Sequence, residues 1–225
     1  MEVLHINSYY FKGKFYKNLY DIQQEHMNIY VYMPIQNDDC VEYDYGNYTL
    51  TSHVFNKSDR ALFHVKHNKI FKDILIKYDF NKINIIHAHS LFSNGYIAYK
   101  LNKKYGIPYV VAVRNTDVNV FFSKMLHLRK LGINILKNSD SVIFLSESYK
   151  NKVIQKYIPQ HLKKNIIAKW HDESQLNRYI VNKPGVRILE PMYCYPCGME
   201  VSYPKKIYAV SKQAKFDVKS FKGQY

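Results

Sequence analysis

Short apolar runs alternate with longer amphipathic segments through the first 160 residues of the chain. Strands are predicted at residues 3–7, 28–33, 48–55, 83–86, 108–113 and 141–145. Helices are predicted at residues 14–25, 59–78, 91–104, 120–137 and 147–157. Most of the strand runs are apolar throughout, which is typical of parallel strands covered on both faces. The alternation predicts an α/β fold with a doubly wound parallel sheet.

Local signals set the expected ends and buried sides of these elements. Pro34 is expected to stop the second strand, and Asp59 to cap the helix that follows the third strand. The buried side of that helix is predicted at helical spacing, at Leu62, Val65, Ile70, Ile74 and Ile76. The first helix has Phe15, Leu19 and Ile22 at the same spacing.

The pattern changes after residue 159. A helix with an acidic first turn is predicted at residues 170–181, and residues 184–204 contain four prolines and two glycines. We therefore divide the chain into a domain at residues 1–163 and a short irregular α+β tail at residues 164–225.

Composition and charge limit the cellular location and the chemical class of binding partner that we expect. A net charge of +15 favours anionic partners, but the lysines are spread along the chain, so a nucleic-acid interface ranks last among the functions considered. No apolar stretch reaches ~20 residues, and no signal peptide is visible. Cys194 and Cys197 form a lone C-x-x-C without a second ligand pair, so we expect no metal site. These features predict a cytoplasmic protein, with peripheral contact to the inner face of the membrane as a further possibility.

Polar residues follow the predicted strands at the edge where open α/β sheets bind ligands. The candidates for substrate binding are Gly13, His89, Arg114, Asn115 and Asp117. Each of them could equally be a turn or capping residue, which any such fold requires. Neither G-x-G-x-x-G nor G-x-x-x-x-G-K-[ST] is present, so the sequence predicts neither a dinucleotide nor an ATP cofactor.

Four segments stand in the order and spacing of a known enzyme domain. They are MEVLHINS at 1–8, IIHAHSLFSNG at 85–95, GIPYVVAVRNTD at 106–117 and SDSVIFLSES at 139–148. Together they resemble the N-terminal, Rossmann-like domain of family-4 glycosyltransferases. The resemblance implies a GT-B enzyme, in which two such domains flank a cleft. It also implies that His89 and the loop from Arg114 to Asp117 line the acceptor side. Many relatives have a cleft histidine where this chain has Arg114 and Asn115.

The second domain of that family carries the nucleotide-sugar site, and no segment after residue 165 resembles it. That part of the chain instead contains W-H-D-E-S-x-L-N-x-Y at 170–179. Adjacent carboxylates suit glycosyl transfer because an oxocarbenium-like centre needs a nearby anion. They also suit a helix start, where acidic side chains complement the dipole.

The motif resembles the signature of family-6 glycosyltransferases, and LEPMY at 189–193 fits the same family. The resemblance implies that His171 and Asp172 lie beside the donor sugar, that Glu173 is the nucleophile or contacts the acceptor, and that Trp170 packs against acceptor sugar.

The leading hypothesis is a hexosyltransferase of retaining type, or an incomplete remnant of one. Its expected partners are a nucleotide-sugar donor, such as a UDP-sugar, and a glycan or lipid-linked acceptor, with no divalent metal. The alternative is a non-catalytic module that binds an acceptor or a partner subunit and lacks its donor domain.

Overall fold

The computed structural model describes residues 1–12, 15–41, 43–168 and 170–171. The strands are β1 (Glu2–Ile6), β2 (Asn28–Gln36), β3 (Thr49–Phe55), β4 (Ile85–Ala88), β5 (Tyr109–Val113), β6 (Ser141–Phe144) and β7 (Trp170–His171). The helices are α1 (Phe15–Gln24), α2 (Phe63–Lys77), α3 (Gly95–Tyr105), α4 (Arg129–Asn138), α5 (Glu147–Lys156) and α6 (Gln160–Ala168). None of the helices in these ranges is long and apolar enough to cross a membrane.

All seven strands run parallel in the order β3-β2-β1-β4-β5-β6-β7. The chain moves outward from β1 to β3, returns to β4 beside β1, and then continues to β7 on the other side. The predicted doubly wound, Rossmann-like α/β fold is therefore confirmed. The direction of winding changes between β1 and β4, and the carboxyl ends of strands at such a point form a crevice that binds ligands.

Two apolar layers cover the sheet. The larger one joins β1, β4, β5 and β6 to α2–α6 through buried residues such as Leu4, Ile86 and Ile135. The smaller one joins β1 and β2 to α1 through Val3, Val31 and Tyr20. Because successive side chains of a strand point to opposite faces, His5 shares the α1 face with Val3, while Leu4 and Ile6 face the larger layer.

Strand β2 does not end at Pro34, as the sequence predicted, but continues to Gln36. Its last partner in β1 is Ile6, which pairs with Tyr32, and beyond that point β2 pairs only with β3. Pro34 pairs with Ser52 on that side. The other side of β2 is then an unpaired edge, where the missing N–H of proline is tolerated.

The predicted start of the second helix is also wrong. A 3-10 helix, Lys57–Ala61, precedes α2, and its cap is Asn56, whose backbone N–H donates to the Asp59 carboxylate over 2.8 Å. Asp59 in turn accepts from Lys69 Nζ at 2.6 Å. Of the predicted buried side, Ile70 and Ile74 are buried. Leu62 precedes the helix, and Val65 and Ile76 are exposed because they lie on the opposite helix face.

The segment at Trp170 begins as a strand and not as the predicted helix. Trp170 pairs with Val142 and His171 with Ile143, which makes β7 the outer strand of the sheet. Pairing with the open edge of β6 satisfies backbone groups that a helix start would leave free, so the tertiary context overrides the local signal.

Gly132 of α4 provides space for two aromatic rings. A Cβ at this position would lie 2.5 Å from Phe92 Cζ and 2.9 Å from Phe122 Cζ, and both rings are fully buried. We expect Gly132→Ala to lower the free energy of unfolding by roughly 1–3 kcal/mol, since overpacking outweighs the helix preference of alanine. Urea denaturation measures the change. Lys130→Ala, at an exposed position of the same helix, is the control and should stay within about 0.5 kcal/mol.

Candidate functional site at the carboxyl ends of β1, β4 and β5

Three loops meet where the winding of the sheet reverses. The loop after β1 starts at Asn7, the loop after β4 contains His89, and the loop after β5 starts at Arg114. The backbone joins the loop after β4 to the end of β1, because His89 N–H donates to Ile6 O at 3.1 Å, and Asn7 N–H donates to Tyr32 O of β2 at 3.1 Å. The strand register thus brings side chains that are about 100 residues apart in sequence to one surface.

Arg114 connects all three loops. Its Nε–H donates to the carbonyl oxygen of His89, and its terminal NH₂ group donates to the hydroxyl of Tyr16 on α1. The guanidinium also lies 4.8 Å from the centre of the Tyr9 ring, within the range of a cation–π contact. Guanidinium has five N–H donors, and these two hydrogen bonds use only part of them. Arg114 is therefore held by aromatic rings in an orientation that suits an anionic group.

A buried polar network lies beside Arg114 on the α1 face of the sheet. His89 Nε2 is 3.1 Å from the Tyr20 hydroxyl and 3.1 Å from His5 Nδ1. Asn7 Nδ2 donates to the Tyr20 hydroxyl at 2.8 Å. His87 lies directly opposite His5 in the β1–β4 pair, and its ring centre is 4.1 Å from that of His89. Three imidazoles and a phenol therefore share one pocket.

Burial keeps this network uncharged. It lowers the pKa of His87 to about 4, and it lowers the pKa of both His5 and His89 well below the ordinary value, with a smaller effect in the same direction from His87. Burial also raises the pKa of Tyr20 well above its ordinary value. At neutral pH the three imidazoles are therefore neutral, and each has a lone pair on one ring nitrogen.

Asp117 lies beneath the surface and joins two of the loops. Its carboxylate accepts hydrogen bonds from the backbone N–H groups of Leu91 at 3.0 Å, Phe92 at 3.0 Å and Arg114 at 2.8 Å. Burial raises the pKa of Asp117, while the hydrogen bonds from Arg114, Leu91 and Phe92 act in the opposite direction. A side chain engaged in this way positions the loop that carries Arg114.

The outer part of the edge is polar and exposed. Asn119 Nδ2 donates to Asn115 Oδ1, and Lys152 Nζ of α5 donates to Asn119 Oδ1 at 2.6 Å. Helix α5 begins at the same edge, where Ser146 Oγ accepts from Tyr149 N–H at 3.2 Å. Asn115 and Lys152 extend the polar surface toward β6.

The predicted site residues fall into three groups. The structure brings His89, Arg114, Asn115 and Asp117 together at one edge. Trp170 and His171 form the strand β7. Gly13, Asp172 and Glu173 lie outside the described residues.

Sequence reasoning did not select the tyrosines of this surface. Tyr16 and Tyr20 of α1, together with Tyr9, form the wall that faces Arg114 and His89. The available signal was the spacing of Tyr16 and Tyr20, four residues apart on one helix face. His5 and His87 were also missed: His5 lies inside a predicted strand run, and His87 comes directly after the predicted strand at residues 83–86.

A separate concavity of about 390 Å³ lies at the opposite end of the sheet. Asn28, Thr49 and Tyr78 line it at the start of β2, the start of β3 and just after the end of α2. The amino ends of parallel strands rarely carry ligand sites in this architecture, and among the described residues the titratable side chains that line the concavity are tyrosines, with no carboxylate, imidazole or ammonium group. We therefore assign the candidate site to the carboxyl ends.

Comparison with known proteins agrees with both resemblances. The model "Glycosyltransferase Family 4" matches residues 23–164, which is more than half of the chain, and the model "Glycosyltransferase family 6" matches residues 149–219. A solved sucrose-phosphate synthase from Thermosynechococcus elongatus is similar in fold, with a TM-score of 0.54 and 11% identity over 80% of this chain and 99% of that one.

Two plant proteins are more distantly similar. UGT2 of Phytolacca americana, solved with UDP-2-fluoro-glucose and pterostilbene, has a TM-score of 0.46 and 7% identity over 81% of this chain and 57% of that chain. UGT89C1 of Arabidopsis thaliana, solved with UDP, has a TM-score of 0.40 and 9% identity over 82% of this chain and 55% of that chain. The chain thus spans little more than half the length of these two proteins. The match over residues 23–164, together with the parallel sheet, shows that this chain belongs to Glycosyltransferase Family 4.

Proposed function

We propose that this protein transfers a hexosyl group, with retained configuration, from a nucleotide sugar such as a UDP-sugar to a glycan or lipid-linked acceptor. The observation that carries the proposal is the Arg114 guanidinium, which aromatic rings hold at the carboxyl edge between β1, β4 and β5. In this role Arg114 binds an anionic group of the acceptor, for which the fixed fork of guanidinium donors is well suited.

The tyrosine wall supports the choice of a sugar-containing acceptor. The rings of Tyr9 and Tyr16 are half-buried beside Arg114, and each combines an apolar face with a polar hydroxyl. Sugars present apolar C–H faces and hydroxyl groups in the same molecule, so a wall of this kind matches them on both counts. Asn115, exposed at the rim, supplies a further hydrogen-bonding side chain.

The direction of β7 supports a catalytic role for the tail motif. β7 is parallel to β6, so the chain leaves it at the same edge of the sheet as the loops that carry His89 and Arg114. Asp172 and Glu173 are the next two residues in sequence. β7 lies three strands from β4, which is roughly 14 Å at the usual strand spacing. That span is close to the length of a nucleotide sugar, and it supports Glu173 as the carboxylate near the anomeric carbon and Asp172, His171 and Trp170 as donor- and acceptor-contacting residues.

Donor turnover by the full-length chain tests the enzymatic proposal. We expect binding of a UDP-hexose below millimolar concentration and slow release of UDP, which Glu173→Gln should reduce about a hundredfold or more. Ser148→Ala, outside the family-6-like motif, is the control for handling and folding. Donor binding without any release of UDP, in the presence of candidate acceptors, would contradict the catalytic role of Glu173.

Arg114 is tested separately on the acceptor side. We expect Arg114→Ala to weaken binding of a sugar-phosphate acceptor mimic at least tenfold while UDP-hexose affinity stays unchanged, because the loss of a charge-assisted hydrogen bond costs about 1.5–3 kcal/mol. Isothermal titration calorimetry measures both affinities. Arg60→Ala, an exposed arginine in the 3-10 helix before α2, is the matched control.

One observation favours a second candidate function, a binding module that acts together with a donor-binding partner. The described ranges of the chain form one sheet with one carboxyl edge, so they supply a single Rossmann-like unit. If the acceptor mimic binds in an Arg114-dependent way and no nucleotide sugar binds at all, the module is the correct function.

A further inference from the structure

We propose that His5, His87 and His89 bind one divalent transition-metal ion, in the first instance Zn²⁺, through one imidazole nitrogen each. His5 of β1 and His87 of β4 lie opposite each other on the α1 face of the sheet, and His89 follows β4 directly. This site goes beyond the glycosyl-transfer proposal and stands independently of it. It also opposes the expectation from the sequence that the chain has no metal site, since that expectation considered only cysteine spacing.

The distances fit a metal ion. One ligand nitrogen from each histidine lies within 4.8 Å of the others. Two imidazole nitrogens on a tetrahedral Zn²⁺ stand roughly 3.3 Å apart, given a Zn–N distance of about 2.0–2.1 Å. His5 Nδ1 and His89 Nε2 are already 3.1 Å apart. The nitrogen of the third histidine lies within 4.8 Å of both and must move closer to complete the set.

The second nitrogen of His5 defines the tautomer that the site requires. His5 is almost fully buried, and its Nε2, unlike its Nδ1, has no hydrogen-bond partner among the described residues. In the proposed site Nε2 carries the ring proton, and the lone pair of Nδ1 is left for the ion. A cluster of three imidazole lone pairs favours a cation.

The protonation state and access also suit a metal. A metal binds imidazole only in its neutral form, and burial lowers the pKa of all three histidines. His87 is half-buried and not fully buried, so it provides a route for the ion from solvent. The Tyr20 hydroxyl would give up its hydrogen bond with His89 Nε2 to the ion and keep the one that it accepts from Asn7 Nδ2.

The surroundings define the rest of the coordination sphere. Three protein ligands leave a fourth position for water, hydroxide or an anion. The positive charge of Arg114 is near enough to lower the pKa of His87 and His89, and it disfavours a bare dication. The fourth ligand is therefore expected to be anionic, and the same guanidinium can hold it.

The test uses the whole chain with Cys40→Ser, Cys194→Ser and Cys197→Ser, so that thiols do not contribute. After treatment with a chelator, Zn²⁺ is titrated against a chromophoric competitor. We expect one ion per chain with a micromolar or lower dissociation constant. His87→Gln should weaken binding about a hundredfold or more. His53→Gln, an exposed histidine of β3, is the matched control and should bind as tightly as the parent.

A second measurement guards against misfolding of the variants. Co²⁺ added to the parent chain should give the intense visible absorption of a four-coordinate site with nitrogen ligands, and circular dichroism should show that His87→Gln retains the fold. A parent chain that binds neither Zn²⁺ nor Co²⁺ saturably would overturn the proposal. So would a folded His87→Gln variant that binds as tightly as the parent.

Discussion

The chelator-treated, metal-free protein should lose most of its stability between pH 7.5 and pH 5. Four histidines carry this effect: His5, His67 and His89, which are buried, and His87, which is half-buried. Burial lowers the pKa of His67 and of His87 to about 4, while the unfolded chain takes up protons near pH 6.5. A lowered pKa means that the unfolded state binds more protons in this window, so stability is present above pH 6.5 and is lost as the pH falls toward 4.

The expected size is large for a domain of this length. Each such histidine costs about 2 kcal/mol at pH 5, and the four together cost roughly 6–8 kcal/mol, which is comparable to the whole stability of many domains. The raised pKa of Asp117 acts in the opposite direction. Urea denaturation at a series of pH values measures the dependence.

A matched pair of variants locates the effect. His87→Gln removes one group whose protonation opposes folding, so the loss of stability between pH 7.5 and pH 5 should shrink by about 2 kcal/mol. His53→Gln replaces an exposed histidine and should leave that difference unchanged. Equal pH dependence in the parent chain and in His87→Gln would show that the imidazole cluster is not held neutral by burial.

Asp117→Ala should lower the free energy of unfolding by on the order of 3–5 kcal/mol. The substitution leaves three backbone N–H groups, those of Leu91, Phe92 and Arg114, buried without their acceptor. The free energy of unfolding of Asp117→Asn should lie between that of the parent chain and that of Asp117→Ala, since its single carbonyl oxygen can still accept some of these hydrogen bonds. Urea denaturation at pH 7.5 measures both changes.

Asp38→Ala is the control for Asp117, because Asp38 is an exposed aspartate in the loop after β2. It should change the free energy of unfolding by no more than about 0.5 kcal/mol. If Asp117→Ala were as mild as this control, the carboxylate would not be what fixes the loop after β5 against the loop after β4.

The fold was predictable because parallel strands have a strong sequence pattern. Runs such as the one at β5 are apolar throughout, and the helical segments between them alternate with these runs in order. The features that the pattern predicted wrongly depend on which strands are neighbours in the sheet. Pro34 is tolerated because β1 has already ended beside it, and Trp170 is a strand because β6 offers an open edge. Neither fact is local to the residue concerned.

Site residues could be predicted from the sequence only where a polar residue directly follows a strand. Arg114 and His89 follow strands directly, so their position alone places them at the carboxyl edge. The histidine cluster depends on register, since His5 and His87 are opposite each other only because β1 pairs with β4. Likewise, the buried residue of α1 is Tyr20, while Leu19 and Ile22 of the predicted face are half-buried. A tyrosine is buried at this position in place of an aliphatic residue because the Tyr20 hydroxyl completes the hydrogen bonds of Asn7 and His89.

Hydrogen exchange of the full-length chain tests the central claim, that the carboxyl edge of the sheet and the tail motif bind one donor–acceptor pair. Amide exchange is compared with and without a UDP-hexose together with a sugar-phosphate acceptor mimic. We predict slower exchange in residues 114–119 and also in residues 170–176, with residues 28–30 at the opposite end of the sheet unchanged. Protection confined to the opposite end, or absent from both predicted segments at saturating ligand, would contradict the claim.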